Sequence, residues 1–322
     1  MRFAAGRGGY RDVMADLVAA VRTHLDRPLP LPGDGATGQR WRALTAAARE
    51  DVVVGRLVEA HADADAILAE LADRRAAPGQ WWGVWAAEPP QPVLTAERGP
   101  DGWRLHGTKA WCSGAGLCSH ALVTARAGAR RPLLAVDLRR PGVSVDLSAW
   151  AADGMRRSAT GMVSFDAVPA EPVGPPTGYL ERPGFWHGAV GVAACWLGGA
   201  ERVADTLRRA GPRLDDHGLA HLGAVDAALT AARWSMSAAG NEIDANSPDT
   251  RAAQRRAGRV RAIVERAAAE TIDRVGRALG ATPLATDEGH ATAVADLTVY
   301  LRQSHAERDL AALGRLLAEE PM

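Results

Sequence analysis

The spacing of apolar residues changes twice along the chain, and this change constrains the fold more than any other sequence feature. From about residue 40 to 72, apolar residues recur every three or four positions, which is typical of helices. Between about 80 and 175 they form short runs rich in β-branched residues and separated by turns. The helical period returns from about residue 184. Because no helical segment separates the predicted strands, a doubly wound parallel sheet is disfavoured.

Each part of this pattern predicts one unit of structure. We predict an α+β multidomain protein with a short N-terminal helical region at residues 1–78, a central antiparallel β-barrel or sandwich at 79–180 and a C-terminal four-helix bundle at 181–322. Prolines and glycines at residues 28–35 predict an irregular arm. Apolar stripes in the last region predict helices over residues 219–239, 251–279 and 293–317.

Charge and cysteine content exclude several classes of partner. The 38 basic and 38 acidic residues cancel, which gives nucleic acids and anionic membranes no electrostatic reason to bind. The three cysteines lack metal-binding spacing, and neither a signal peptide nor an apolar stretch of about eighteen residues occurs. We therefore expect a cytoplasmic protein. Because Lys109 is the only lysine among the basic residues, we interpret most arginines as compositional drift on a solvated surface.

Three strings in the predicted β domain, in this order along the chain, carry a family resemblance. They are VWAAEPP at residues 84–90, DGWRLHGTKAWCSGAG at 101–116 and GMRRSATGMVSFDAVPAEPVG at 154–174. Each resembles a string of the acyl-CoA dehydrogenase family, and the likeness extends over roughly residues 45–317. The resemblance implies an FAD-dependent oxidoreductase that acts on an acyl-thioester or similar small substrate. It also implies a homo-oligomer, either a dimer or a tetramer.

The second string predicts where a flavin ring would lie. A flavin needs a flat apolar partner and a hydrogen-bond donor near its N5 atom, because reduction changes the hydrogen bonding there. Residues i and i+2 of one strand point to the same face, so Trp111 and Ser113 can meet one ligand. By resemblance, Trp111 packs on the ring and Ser113 binds near N5. Ala87 replaces a family threonine and leaves a backbone contact, and we predict Lys109 to be a solvated strand residue without a role.

The resemblance also implies contacts with the adenosine half of FAD, partly from a neighbouring subunit. The strings LRRAGP at residues 207–212 and RALGA at 277–281 match the corresponding family strings incompletely. We assign Arg208 and Arg277 to the pyrophosphate and Gly280 as the retained glycine, since a guanidinium binds phosphate oxygens well.

The position of the catalytic base is the main departure from the family. In the dehydrogenases a glutamate removes a proton from the substrate. Alignment on Asp296 and Tyr300 places Ser304 at that position, followed by His305, so the carboxylate is missing. We treat Glu307 as a poor replacement, because on a continuous helix it would point elsewhere. His305 is the candidate acid or base because histidine titrates near neutral pH; a solvated position on a surface helix is the alternative interpretation.

Three functions therefore stay open. The first is the FAD-dependent oxidoreductase. The second is a flavin-dependent monooxygenase or oxidase on the same fold, in which a histidine replaces the glutamate. The third is a non-catalytic partner subunit of a heteromeric dehydrogenase.

Other candidate motifs have simpler interpretations. No metal site is predicted, because His217 and His221 have no identified third ligand, and His61 lies on an apolar stripe as a core histidine. The string GAVGVA at residues 188–193 lies in a helical stretch and only imitates a dinucleotide loop.

Overall fold

The structure is a computed structural model that describes residues 7–246 and 249–319, with side chains described from residue 12 onward. The helices in these ranges are α1 (Arg7–Leu25), α2 (Thr37–Glu50), α3 (Val52–Ala72), α4 (Gly178–Glu181), α5 (Pro183–Ala210), α6 (Asp216–Ala245), α7 (Thr250–Leu279), α8 (Thr282–Thr286), α9 (Glu288–Tyr300) and α10 (Glu307–Ala318). The strands are β1 (Trp82–Trp85), β2 (Leu94–Gly99), β3 (Gly102–Cys112), β4 (His120–Thr124), β5 (Leu133–Asp137), β6 (Val143–Asp146) and β7 (Gly161–Pro172). The predicted order of helical, β and helical regions is confirmed.

The chain forms two compact units. Of the described residues, the β unit comprises 7–28, 60–151 and 156–179, and the helical unit comprises 29–59, 152–155, 180–246 and 249–319. Helix α3 runs through the boundary between them. The domain boundaries predicted at residues 78 and 180 come from the sequence pattern, whereas these units are defined by compactness. The predicted boundaries therefore stay a prediction.

The β unit is built on one seven-stranded sheet. Its strand order is β1-β4-β5-β7-β3-β2, and β6 also pairs with β7. Every pairing is antiparallel except that of β1 with β4. Alternation places Leu105, Val163 and Phe165 in a buried cluster with residues of β4 and β5. The predicted antiparallel β domain is therefore confirmed, and the parallel β1–β4 pair is an addition to it.

The helical unit consists mainly of the long helices α5, α6 and α7 together with α2 and α9. The stripe predicted over residues 251–279 forms α7, whose buried positions include Val260, Val264 and Val275. Aspartates at the N-caps of α6, α7 and α9 accept hydrogen bonds from backbone N–H groups of the first turn. In the described ranges, no helix is long and apolar enough to cross a membrane.

The prediction of one continuous helix over residues 293–317 is wrong. Helix α9 ends at Tyr300, a 3₁₀ turn follows, and α10 begins at Glu307. Ser304 is extended and Ala306 has a positive φ of 45°. The Ser304 hydroxyl accepts the Ala306 N–H, and Asp309 accepts the His305 N–H, so side chains satisfy backbone groups that a helix would pair internally.

Candidate functional site

Trp111 lies on a β-bulge near the end of β3. Lys109 pairs with Val163 of β7 and Cys112 with Gly161, so β3 holds one extra residue between these two pairs. Trp111 has a φ of 60°, which is rare for a bulky side chain, and it is 62% exposed. The backbone therefore holds this indole at the surface of the β unit at a conformational cost of about 1–3 kcal/mol.

A chain of buried hydroxyls follows the bulge. The Thr160 hydroxyl donates to Ser113 Oγ at 3.3 Å, and it lies 2.7 Å from the hydroxyl of Ser158. The indole N–H of Trp85 donates to the Ser113 carbonyl at 3.0 Å, and the Gly114 N–H donates to the Ser158 carbonyl at 2.8 Å. These bonds fix the backbone after β3. Because of the bulge, simple strand alternation does not relate Trp111 to Ser113: the indole is exposed and the hydroxyl is buried.

The prediction that Lys109 is a solvated residue is wrong. Its side chain is only 3% exposed, and its Nζ donates to Glu88 Oε1 at 2.7 Å, to the Thr124 carbonyl at 2.7 Å and to Thr124 Oγ1 at 2.9 Å. The Thr124 hydroxyl donates to the same Glu88 oxygen at 2.5 Å. The three donors of the ammonium are thus all satisfied, which compensates for its burial.

Both ionisable groups of this cluster have shifted pKa values. Burial lowers the pKa of Lys109 below its usual value, although Glu88 acts in the opposite direction. For Glu88, burial raises the pKa, but hydrogen bonds from Lys109 and Thr124 outweigh it, so the net shift is downward. Ala87, the residue predicted to contact the flavin through its backbone, is exposed and immediately precedes Glu88.

Ser304 and His305 lie in the helical unit, at the break between α9 and α10. His305 is exposed, and its Nδ1 lies 3.3 Å from Asp309 Oδ1. His305 therefore lies at the surface, as the alternative interpretation expected. It does not lie on the continuous surface helix that this interpretation assumed. The angular argument against Glu307 therefore does not apply, since Ala306 interrupts the helix before it.

Residues 152–155 lie against α9 within the helical unit. The Asp296 carboxylate is buried and accepts the Met155 N–H at 2.5 Å. A Cβ atom on Gly154 would lie 2.2 Å from the Ala295 carbonyl oxygen, so only glycine allows this approach. The first glycine of the third sequence string thus has a structural reason.

The residues assigned to the adenosine half of FAD are each engaged locally. Arg208 Nη1 lies 3.1 Å from Asp205, and Arg277 Nη1 lies 3.5 Å from Asp273, both one helical turn away. Gly280 follows the end of α7 with a φ of 65°. Their predicted contacts with a cofactor stay predictions.

The other histidines named in the sequence have different surroundings. His61 Nδ1 accepts the Trp82 N–H at 3.2 Å, as expected for a histidine with a partner in the fold. His217 is exposed. Over residues 12–246 and 249–319, no group of three or more histidine, cysteine or acidic side chains is arranged to hold a metal ion.

The sequence missed the partners of Lys109 and the hydroxyls behind Ser113. Glu88 lies in the first string and Ser158 and Thr160 in the third, so a signal existed for these residues. Thr124 lies outside all three strings. Its contribution depends on the pairing of β4 with β1 and β5, which no local pattern reveals.

Comparison with protein families gives a match in the central part of the chain. Residues 88–168 match the family described as the acyl-CoA dehydrogenase middle domain. The matched segment contains Glu88, Lys109, the bulge at Trp111 and the hydroxyl chain. No curated protein sequence matches this chain.

Solved structures resemble the chain over nearly its full length. The dibenzothiophene monooxygenase TdsC from Paenibacillus sp. A11-2, with FMN and indole, has a TM-score of 0.75 at 20% identity and covers 95% of this chain and 96% of its own. KijD3, with FMN and a dTDP-linked amino sugar, has a TM-score of 0.76 at 20% identity, with coverages of 98% and 95%.

A dehydrogenase is also similar. The steroid ACAD Tcur3481-Tcur3483 has a TM-score of 0.66 at 19% identity, with coverages of 96% and 98%. At these identities the likeness establishes the fold, and the function has to be argued from the site.

Proposed function

We propose that this chain, which has the acyl-CoA dehydrogenase fold and carries that family's middle domain at residues 88–168, is a flavin-dependent oxidoreductase. The observation that carries the proposal is the exposed indole of Trp111 on a strained bulge inside the matched segment. Strained backbone persists only where the surrounding structure enforces it, and such positions cluster at functional sites.

The residues around the bulge fit a flavin ring. The open indole face supplies the flat apolar surface that an aromatic ring system requires. If Ser158 donates to Thr160 and Thr160 to Ser113, the hydrogen of Ser113 has no acceptor among the described residues and is left for a ligand. A bound flavin would supply the two-electron oxidation and reduction chemistry. The roles of Trp111 and Ser113 are to hold and orient it.

The form of the flavin is a separate proposal. The resemblance implies FAD, with Arg208, Arg277 and Gly280 at its adenosine half. Both arginines already pair with an aspartate one turn away, so a pyrophosphate would compete with these carboxylates. FMN lacks the adenosine half and avoids that competition, and TdsC and KijD3 are complexes with FMN. We keep FAD as the prediction and FMN as the alternative that this pairing favours.

The site around Ser304 favours oxygenation as a second candidate function. The family's dehydrogenation needs a carboxylate base, whereas the Ser304 hydroxyl is neutral and already accepts the Ala306 N–H at 3.2 Å. His305 is held through Nδ1 by Asp309, which leaves Nε2 on the opposite side of the ring to exchange a proton with a ligand. A monooxygenase or oxidase can use such a histidine. An acyl-thioester or related small molecule stays the predicted substrate.

The first experiment tests for the cofactor. We expect the purified protein, or the protein reconstituted with FAD or FMN, to show a flavin absorption band. Mass spectrometry of the released cofactor distinguishes the two forms. A homogeneous, folded protein that binds neither flavin would contradict the proposal and favour the non-catalytic partner subunit.

The second experiment separates the reactions. Bleaching of the flavin by an acyl-CoA without oxygen would support dehydrogenation, whereas substrate oxygenation by the reduced protein would support the monooxygenase. In the monooxygenase case, His305→Gln should lower turnover, while the neighbouring Arg302→Gln, at an exposed site paired with Glu265, should leave turnover unchanged. Normal turnover in His305→Gln would exclude His305 as the acid or base.

A further inference from the structure

Lys109, Glu88 and Thr124 form a closed set of buried and partly buried hydrogen bonds, which we call the Lys109 clamp. Lysine donates to both partners, and the threonine hydroxyl donates to the glutamate. The three residues come from β3, from the segment after β1 and from the end of β4. The clamp therefore ties three separate chain segments of the β unit together at one point.

We propose that the Lys109 clamp fixes the register of β3, so that the bulge forms at Trp111 and presents the indole to the flavin. The inference rests on the proposed function for the identity of the ligand. Lys109 is the last residue of β3 in regular pairing before the bulge. The clamp also anchors Glu88, and with it the backbone of the preceding residue Ala87, which is another predicted flavin contact of this unit.

The need for a clamp follows from the geometry of the bulge. A one-residue slip of β3 would remove the extra residue and relax the strained φ of Trp111, so the bulge must be held against this slip. A slip would also bring Thr108 or Ala110 to the position of Lys109, and the Glu88 carboxylate would then have no ammonium beside it. Buried charges of this kind specify register, because only one alignment satisfies them.

The clamp also explains why a lysine stands here in a chain that otherwise uses arginine. Three oxygens converge on Nζ at 2.7–2.9 Å, which matches the three donors of a compact ammonium. Each nitrogen of a planar guanidinium carries at most two hydrogens, so none of them can donate to all three oxygens. Arginine should therefore fail to replace Lys109, although it preserves the charge.

The bulge itself is closed by a second contact with Lys109. The Cys112 thiol lies 3.3 Å from the Lys109 carbonyl, across the extra residue. A displacement of Lys109 would thus move Trp111 in two ways, because both the side chain and the backbone carbonyl of Lys109 make contacts that hold the bulge. This makes Lys109 a positioning residue, since it acts on the indole and has no direct contact with the predicted ligand.

The test uses the full chain labelled with 5-fluorotryptophan and examined by ¹⁹F NMR without flavin. The chain has 10 tryptophans, and the Trp111 resonance is the one absent from Trp111→Phe. We expect Lys109→Met, Lys109→Arg and Glu88→Gln each to shift or split the Trp111 resonance. We also expect them to weaken FMN or FAD binding by up to about tenfold in a fluorescence titration, since the loss of one aromatic contact sets the upper limit.

The matched control is Arg75→Met, which breaks the ion pair between the partly exposed Arg75 and the buried Asp65 in the same unit. It should lower the unfolding temperature but leave the Trp111 resonance and the flavin affinity unchanged. If Lys109→Met does not fold, Glu88→Gln preserves the size of the side chain and provides the same test.

An unchanged Trp111 resonance in Glu88→Gln and the folded Lys109 variants would overturn the positioning role. A wild type that binds neither flavin would instead count against the proposed function, and the resonance would still decide the role of the clamp.

Discussion

Gly154→Ala should destabilise the helical unit, because residue 154 approaches the backbone of α9 more closely than any side chain permits. An added Cβ would lie 2.2 Å from the Ala295 carbonyl oxygen, 2.7 Å from the Ala295 carbonyl carbon and 2.8 Å from Val299 Cγ2. Two of these atoms belong to helix backbone and cannot rotate away. The segment at residues 152–155 must therefore move.

The magnitude follows from two costs that overlap. Overpacking a well-packed site costs about 1–3 kcal/mol. Movement of the segment also stretches the hydrogen bond from the Met155 N–H to the Asp296 carboxylate, and bonds to charged groups contribute about 1.5–3 kcal/mol. Because one displacement causes both losses, we expect the free energy of unfolding to fall by about 2–4 kcal/mol.

Urea denaturation with Gly276→Ala as control measures this effect. Gly276 lies inside α7, has no positive φ and has no atom within 4 Å of an added Cβ. The same substitution there should stabilise the protein by roughly 0.5–1 kcal/mol, since alanine is the better helix former. A value for Gly154→Ala within about 0.5 kcal/mol of wild type, the range of an ordinary surface change, would refute the steric argument.

Three other perturbations follow from the site and its surroundings. Trp111→Ala should weaken flavin binding by about tenfold, whereas Trp111→Phe should retain most of the affinity, as measured by quenching of FMN fluorescence. Equal affinities of Trp111→Ala and wild type would show that the indole does not stack on the flavin. Burial, with Arg256 and Arg182 nearby, lowers the pKa of His187 to about 4. The folded state thus binds this proton less tightly than the unfolded state, so stability should fall as pH drops from about 6.5 toward 4, and less so in His187→Gln, as measured by thermal unfolding at pH 7 and pH 4.5. Arg208→Met with Arg277→Met should reduce affinity for FAD but not for FMN if these residues bind pyrophosphate, as tested by calorimetry.

The sequence predicts those features that depend on long, regular patterns. The stripe of α7 extends over eight turns, so Val260, Val264 and Val275 identify its buried face without any tertiary information. The β domain was predictable because several short runs of alternating residues follow one another with no helical segment between them. At Trp111 alternation predicts the wrong face. The bulge adds one residue to β3, so the side chains after it point to the opposite face from the one that alternation predicts.

Lys109 shows the other limit of sequence reasoning. A lysine on a strand is solvated in most proteins, and burial becomes favourable only when acceptors converge on it. One acceptor, Glu88, is 21 residues earlier, and the other two belong to Thr124. The break at Ser304 was missed for a local reason, since the capping bond from His305 to Asp309 competes with a helix that the apolar spacing predicts.

Strained backbone positions are concentrated in the strings that carry the family resemblance. Among the described residues, six that are not glycine have a positive φ: Asp73, Trp111, Met155, Ala159, Ala167 and Ala306. Trp111 lies in the second string, Met155, Ala159 and Ala167 lie in the third, and Ala306 follows His305. Each costs roughly 1–3 kcal/mol, which a glycine would avoid. These positions nevertheless carry side chains. The exposed indole of Trp111 contributes little burial energy to the fold, so we attribute its strained position to contact with a ligand.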